Sequence, residues 1–198
     1  DAAIANATAR FNSAGSSGGA LECSNSAASV QSSTFVANRA PRGIGGGLTL
    51  RSQSEATVRG SAFEENSAAN GAALAVQDSS LVADGCDVVR NEASESGGGV
   101  YGRSSTRLEL RNLTVDGNGA ADGGGFYLRE SSPLLTGLDV RNNRAAVGAG
   151  LMLVACASAD VSGSVFELNN ATDAQLPPLS LESAPVEGGA VHCRDSAI

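Results

Sequence analysis

The chain has 198 residues, a net charge of −8 and 41% hydrophobic residues, with 25 Gly, no Trp and 13 basic residues that are all Arg. That acidic balance argues against a nucleic-acid partner, whose phosphates demand a basic face, and no run of 18 apolar residues exists to span a membrane. Gly and Ser in this abundance suit disorder, but the strict internal period described next opposes it.

In chain order, the first recurring element is an apolar residue three positions before an Asn, with an Ala two positions after it. Ala9, Phe35, Phe63, Val88, Val115, Val140 and Phe166 precede Asn12, Asn38, Asn66, Asn91, Asn118, Asn143 and Asn169. Ala14, Ala40, Ala68, Ala93, Ala120, Ala145 and Ala171 follow them. From Asn12 to Asn169 there are six steps of about 26 residues, the period of a repeat protein. The second element is a glycine corner, GGAL, GGGL, GAAL, GGGV, GGGF, GAGL and GGAV. Its first residue is always Gly, at Gly18, Gly45, Gly71, Gly97, Gly123, Gly148 and Gly188. A backbone that must take φ > 0, or one packed hard against its neighbours, explains such a column. The triplets lack the Lys-Ser/Thr of a phosphate loop, and no helix pattern follows them.

Between these punctuation marks the apolar residues alternate with the period of a strand. A first strand follows each glycine corner, as in Leu48/Leu50 and Leu151/Leu153. A second holds pairs such as Ala28/Val30 and Leu108/Leu110, and a third ends at the Phe or Val before Asn. Three short strands in about 26 residues bury themselves only by stacking coil on coil. The expected fold is therefore all-β, a single-stranded parallel β-solenoid of about seven coils forming one domain over residues 1–198. The Asn column is expected to turn a corner, where Asn tolerates left-handed backbone, and to stack its amides up the coil. The step from Leu151 to Val191 is 40 residues, which predicts a loop insertion over 172–187, a candidate binding element. The chain opens without Met and stops soon after a strand-like stretch, so an excerpt of a longer protein is expected.

The four cysteines do not fall on neighbouring sites of adjacent coils. Cys23 and Cys193 share one inward column but stand six coils apart, about 29 Å, whereas a disulfide needs Cα atoms within about 7 Å. Four unpaired thiols are expected, with Cys23, Cys86 and Cys193 as small buried residues. With one His and this spacing, no metal site and no cofactor are expected.

On the outside, the first-strand column reads Glu22, Thr49, Ala75, Tyr101, Tyr127, Met152, His192, beside Arg103 and Arg129. Tyr101, Tyr127 and Met152 with the two arginines form either a candidate stripe for stacking on a partner or a sugar, or a ladder of large residues covering the strand backbone with the Arg stems lying over it. The best outward acidic set, Asp87 and Asp139 with Thr114 between them, spans about 9.6 Å, loose for a shared catalytic site. No catalytic residue is assigned.

The motifs FVAN, FEEN and FELN, paired with GGAL, GGGL and GGAV, resemble the repeats of the chlamydial polymorphic outer membrane protein family over nearly the whole chain. That resemblance implies a right-handed parallel β-helix of the broad pectin-lyase-like architecture. It also implies a surface-exposed adhesive module, extracellular or on a cell surface. The leading expectation is a non-enzymatic structural or adhesive module that binds a protein partner or larger assembly, or a carbohydrate, through a flat outer face or its open ends. The alternative is a pectin-lyase-like carbohydrate-active enzyme.

Overall fold

The computed structural model describes residues 2–172 and 188–198. Most of the expected insertion therefore lies outside the described residues. The chain winds through parallel strands that pair only with the coil before and the coil after. The first face, after the glycine corners, stacks Leu21–Ser24, Leu48–Arg51, Leu74–Gln77, Val100–Arg103, Phe126–Arg129, Leu151–Val154 and Val191–Arg194. A second face runs from Ala2–Ala5 to Asp160–Ser162, and a third from Thr8–Arg10 to Val165–Glu167, each seven strands deep. Register is strict: Leu48, Leu74, Val100, Phe126, Leu151 and Val191 lie side by side despite the 40-residue last step.

The structure adds a fourth face where the sequence suggested a loop. Arg39–Ile44, Ser67–Asn70 and Glu92–Ser96 form one short parallel sheet, and Arg144–Ala145 pairs with Asn170–Ala171. Isolated bridges through Gly119 and Asp122 join them. No alternation of large residues advertises this face, because it packs on small ones. Ala40, Ala68 and Ala93 cluster with Ala72 from the glycine corner, and Ala145 and Ala171 with Ala149. A Cβ on Gly46 would sit 2.7 Å from the Ser67 carbonyl oxygen, so this corner keeps Gly there.

The inward columns make one continuous core. Phe63, Phe126, Leu74, Leu110 and Leu128 are fully buried within it, and Phe35 stacks on Phe63 with ring centroids 4.8 Å apart. Burying a large apolar side chain stabilises by about 1.5–3 kcal/mol, which favours the stacked register over any slip.

Among the described residues, every left-handed one falls on a corner. The first Gly of each glycine corner has φ between 59° and 66°. The Asn column departs from expectation: the left-handed residue is the one before it, Phe11, Ala37, Glu65, Arg90, Gly117, Asn142 or Leu168. The Asn follows that bend and points inward. Its amide nitrogen donates to the Asn oxygen of the next coil at 2.9–3.0 Å. The same oxygen accepts the backbone N–H of the preceding Asn at 2.9–3.1 Å. The second amide proton goes to the carbonyl of the apolar column one coil back, as from Asn91 to Phe63 at 2.9 Å. An interior Asn thus fills both lone pairs and both protons, and Asn38, Asn66, Asn91, Asn118 and Asn143 are completely buried.

The two remaining corners carry Ser where this corner carries Asn. Ser33, Ser61 and Ser164 lie on one, and Ser26, Ser54, Ser79, Ser105, Ser131 and Ser196 on the other. Ser61 accepts the Ser33 N–H at 3.1 Å and donates to the Arg59 carbonyl at 3.0 Å. Cys86 and Cys156 occupy Ser positions in these two columns and repeat the Ser contact, donating to the carbonyls of Asp84 and Val154 two residues back. All four thiols are unpaired, as expected, but the exposures differ: Cys156 is buried and Cys193 is exposed, although Cys193 shares its inward column with buried Cys23. Among the described residues no coil lies beyond Val191–Arg194 to cover it.

Candidate functional site

The outward column of the first face is not an open surface. Among the described residues, the segments ahead of Gly45 and Gly148 fold back over it. Thr49 is sealed there, donating to the Ile44 carbonyl at 2.8 Å and accepting the Gly18 N–H at 3.1 Å. Further along, Val147 packs on the same column, and Tyr127, Met152 and Val154 close into a small cluster with Tyr101 at its edge. Tyr127 is 8% exposed and Met152 3%, so two of the three stripe residues are packing residues rather than presented ones. Tyr101 is half-buried and stacks on Tyr127 with centroids 5.7 Å apart and planes within 7°. The stripe therefore presents one tyrosine edge and two cations.

Arg103 and Arg129 are exposed beside it. Burial pushes the Tyr101 hydroxyl above its ordinary pKa, and the Arg103 guanidinium beside it, hydrogen-bonded to the phenolic oxygen, partly opposes this. Arg129 also reaches the Tyr127 hydroxyl, but its main partner is Glu130 at 3.0 Å. Arg129, followed by a hydrogen bond from Ser104 at 3.1 Å, holds the Glu130 carboxyl below its usual range. Glu130 belongs to this site and was missed in the sequence. It occupies a left-handed corner position, which carries no residue-type signal.

Asp87, Thr114 and Asp139 do align on the outer side of the third face, as register required. Asp139 is committed to Arg141, whose Nε donates at 2.8 Å, while Asp87 is exposed two coils away. Asp116 accepts from Asn142 and Glu64 pairs with Arg90. The acids are thus spread along the coils, with Asp139, Asp116 and Glu64 each held by a neighbouring side chain. The second face carries a shallow groove of about 190 Å³ between Glu55, Thr57, Ser80 and Arg107. Its size is below that of an ordinary small-molecule site. Among the described residues no three His, Cys, Asp or Glu side chains gather as metal ligands do.

This column architecture has a counterpart among known families. A family model described as a right-handed β-helix region matches residues 46–197. The chain belongs to that family. No curated protein and no solved structure matches it. The match begins inside the second glycine corner and runs past Val191–Arg194.

Proposed function

We propose that this β-helix is a non-enzymatic structural or adhesive module that presents the Tyr101 edge, with Arg103 and Arg129, to a partner. The observation that carries this reading is the stacked Tyr101–Tyr127 pair, seated on the Met152–Val154 cluster and flanked by exposed guanidinium groups. A ring held rigid by stacking loses little entropy on binding, and Arg beside an aromatic edge suits an acidic or hydroxyl-rich surface. The FxxN and GGA repeats, which resemble those of the polymorphic outer membrane proteins, support placing the module at a cell surface. The partner on this reading is a protein or a larger assembly, with an acidic glycan as the chemical alternative.

The test pairs binding with turnover. The protein is incubated with a panel of acidic polysaccharides and acidic proteins, and retention, new reducing ends and unsaturated products are measured. The expected result is retention without turnover, lost in the triple variant Tyr101→Ala/Arg103→Ala/Arg129→Ala while circular dichroism is unchanged. Turnover that disappears in Asp87→Ala or Asp139→Ala contradicts the reading and establishes the enzyme alternative.

A further inference from the structure

The corners between the second and third faces line up as one ridge of left-handed residues, Asn6, Ser32, Gly60, Gly85, Asn112, Gly137 and Gly163. From Gly60 to Gly163, Asn112 is the one ridge residue with a side chain. Asn is among the few residues with a Cβ that adopt this backbone readily, and here its φ is 53°. Asn112 is exposed, while Leu113 behind it is 1% exposed and fills the core. Thr114 then opens the strand Thr114–Asp116 on the outer side of the third face. The fold thus anchors this triplet by its middle residue and turns its first and third outward.

Asn112-Leu113-Thr114 is the acceptor pattern for N-linked glycosylation, Asn-x-Ser/Thr with x other than Pro. The pattern recurs at the same corner in Asn6-Ala7-Thr8, where Asn6 has φ 52°. A third, Asn170-Ala171-Thr172, lies instead along the fourth face, where the Asn170 N–H donates to the Asn143 carbonyl at 2.8 Å.

Space and bonding both suit a bulky group on Asn112. A Cβ on Gly85, one coil before, would meet nothing within 4 Å. One on Gly137, the coil after, would meet atoms of Asn112 alone, its amide oxygen at 2.8 Å. The ridge on either side is therefore clear. The Asn112 amide nitrogen donates to an Asp84 carboxylate oxygen at 2.8 Å. That nitrogen has two protons, so exchanging one for a sugar leaves the Asp84 bond in place.

We infer that Asn112 is an acceptor site for an N-linked oligosaccharide. The donor is a lipid-pyrophosphate-linked oligosaccharide, met on a secretory route. The amide nitrogen bonds to the anomeric carbon of the first sugar and gives up one proton to a base of the transferring enzyme. The bond from that carbon to the phosphate oxygen breaks, and the lipid pyrophosphate leaves with its electron pair. The inference rests on the cell-surface part of the proposed function but not on the Tyr101 edge. The ridge borders the second and third faces, so a glycan there leaves the first face open.

The test expresses the chain behind a secretion signal in a eukaryotic host, in the background Asn6→Gln/Asn170→Gln, which leaves one acceptor triplet. The expected product shows a gel shift that peptide N-glycosidase removes, converting Asn112 to Asp in heavy-oxygen water, as read by peptide mass spectrometry. The shift should vanish in Asn112→Gln and in Thr114→Ala and persist in Thr114→Ser. The urea midpoint of the glycosylated chain should equal that of Asn112→Gln. Asn112 occupied in a chain that retains no partner supports this inference while the Tyr101 reading fails. A secreted chain with bare Asn112, a shift that survives Thr114→Ala, or a glycosylated chain without the native circular dichroism would overturn it, leaving the Tyr101 reading to its own test.

Discussion

The Asn corner and the Ser corners solve the same problem with different completeness. Each follows a left-handed residue, each turns the chain inward, and each bonds to the neighbouring coil. The Asn corner keeps its residue type in all seven coils. One Ser corner instead runs Ser33, Ser61, Cys86, Leu113, Leu138, Ser164. The reason lies in valence. An Asn amide joins three coils with four bonds, whereas a Ser hydroxyl accepts one bond and donates one within its own turn. Losing the hydroxyl orphans one group, and a larger apolar residue such as Leu113 offsets that by filling the core. Losing the amide orphans several groups at once, and no apolar residue replaces them.

Substitutions graded along this contrast sharpen it. The largest effect is expected for Asn91→Ala, which strips the Asn66 N–H and amide of their acceptor and the Phe63 carbonyl of a donor. At about 1–3 kcal/mol per buried orphan, the loss is about 3–9 kcal/mol, read from urea denaturation. Gly97→Ala comes next. It forces a side chain into φ +66° with its Cβ 2.6 Å from the Val100 carbonyl oxygen, at about 2–4 kcal/mol. Ser61→Ala leaves one buried N–H, that of Ser33, without its acceptor, and should cost about 1–2 kcal/mol. Equal losses for Asn91→Ala and Ser61→Ala would break the comparison.

Smallest is Cys86→Ser near neutral pH, because Ser already serves that position one coil below. Its effect grows in alkali. Burial, the main cause, pushes the Cys86 thiol above its ordinary pKa of 9.0, with backbone hydrogen bonds at Ser61 and Asp84 opposing. The unfolded thiol ionises first, so its stabilising contribution is complete below pH 9.0 and is lost as pH rises through the raised folded value. The denaturation midpoint of the parent should therefore fall more steeply than that of Cys86→Ser above that pH.

What the sequence disclosed follows from the same physics. Columns defined by a residue type survive in one chain because stacked coils repeat one environment seven times, so the Asn, Gly and Phe/Val columns declared the three main faces and their register. The fourth face stayed hidden because Ala40, Ala68 and Ala93 are too small to produce an alternating pattern. The left-handed corners stayed hidden because positions such as Ala37, Glu65, Arg90 and Leu168 share a backbone angle and no chemistry. The Tyr101, Tyr127 and Met152 column was legible, but its cover was not, since the covering segment belongs to that unseen face. The same reasoning placed Cys193 inward correctly and missed that an inward residue in the outermost described strand is exposed.

The central claim, that the coils are locked in register by a continuous line of side-chain amides, is tested most directly by hydrogen exchange of the Asn side chains, followed by NMR. The amide protons of Asn66, Asn91 and Asn118 should exchange as slowly as the backbone N–H groups of Val88 and Val115 beside them. Exchange as fast as that of exposed Asn25 would contradict it.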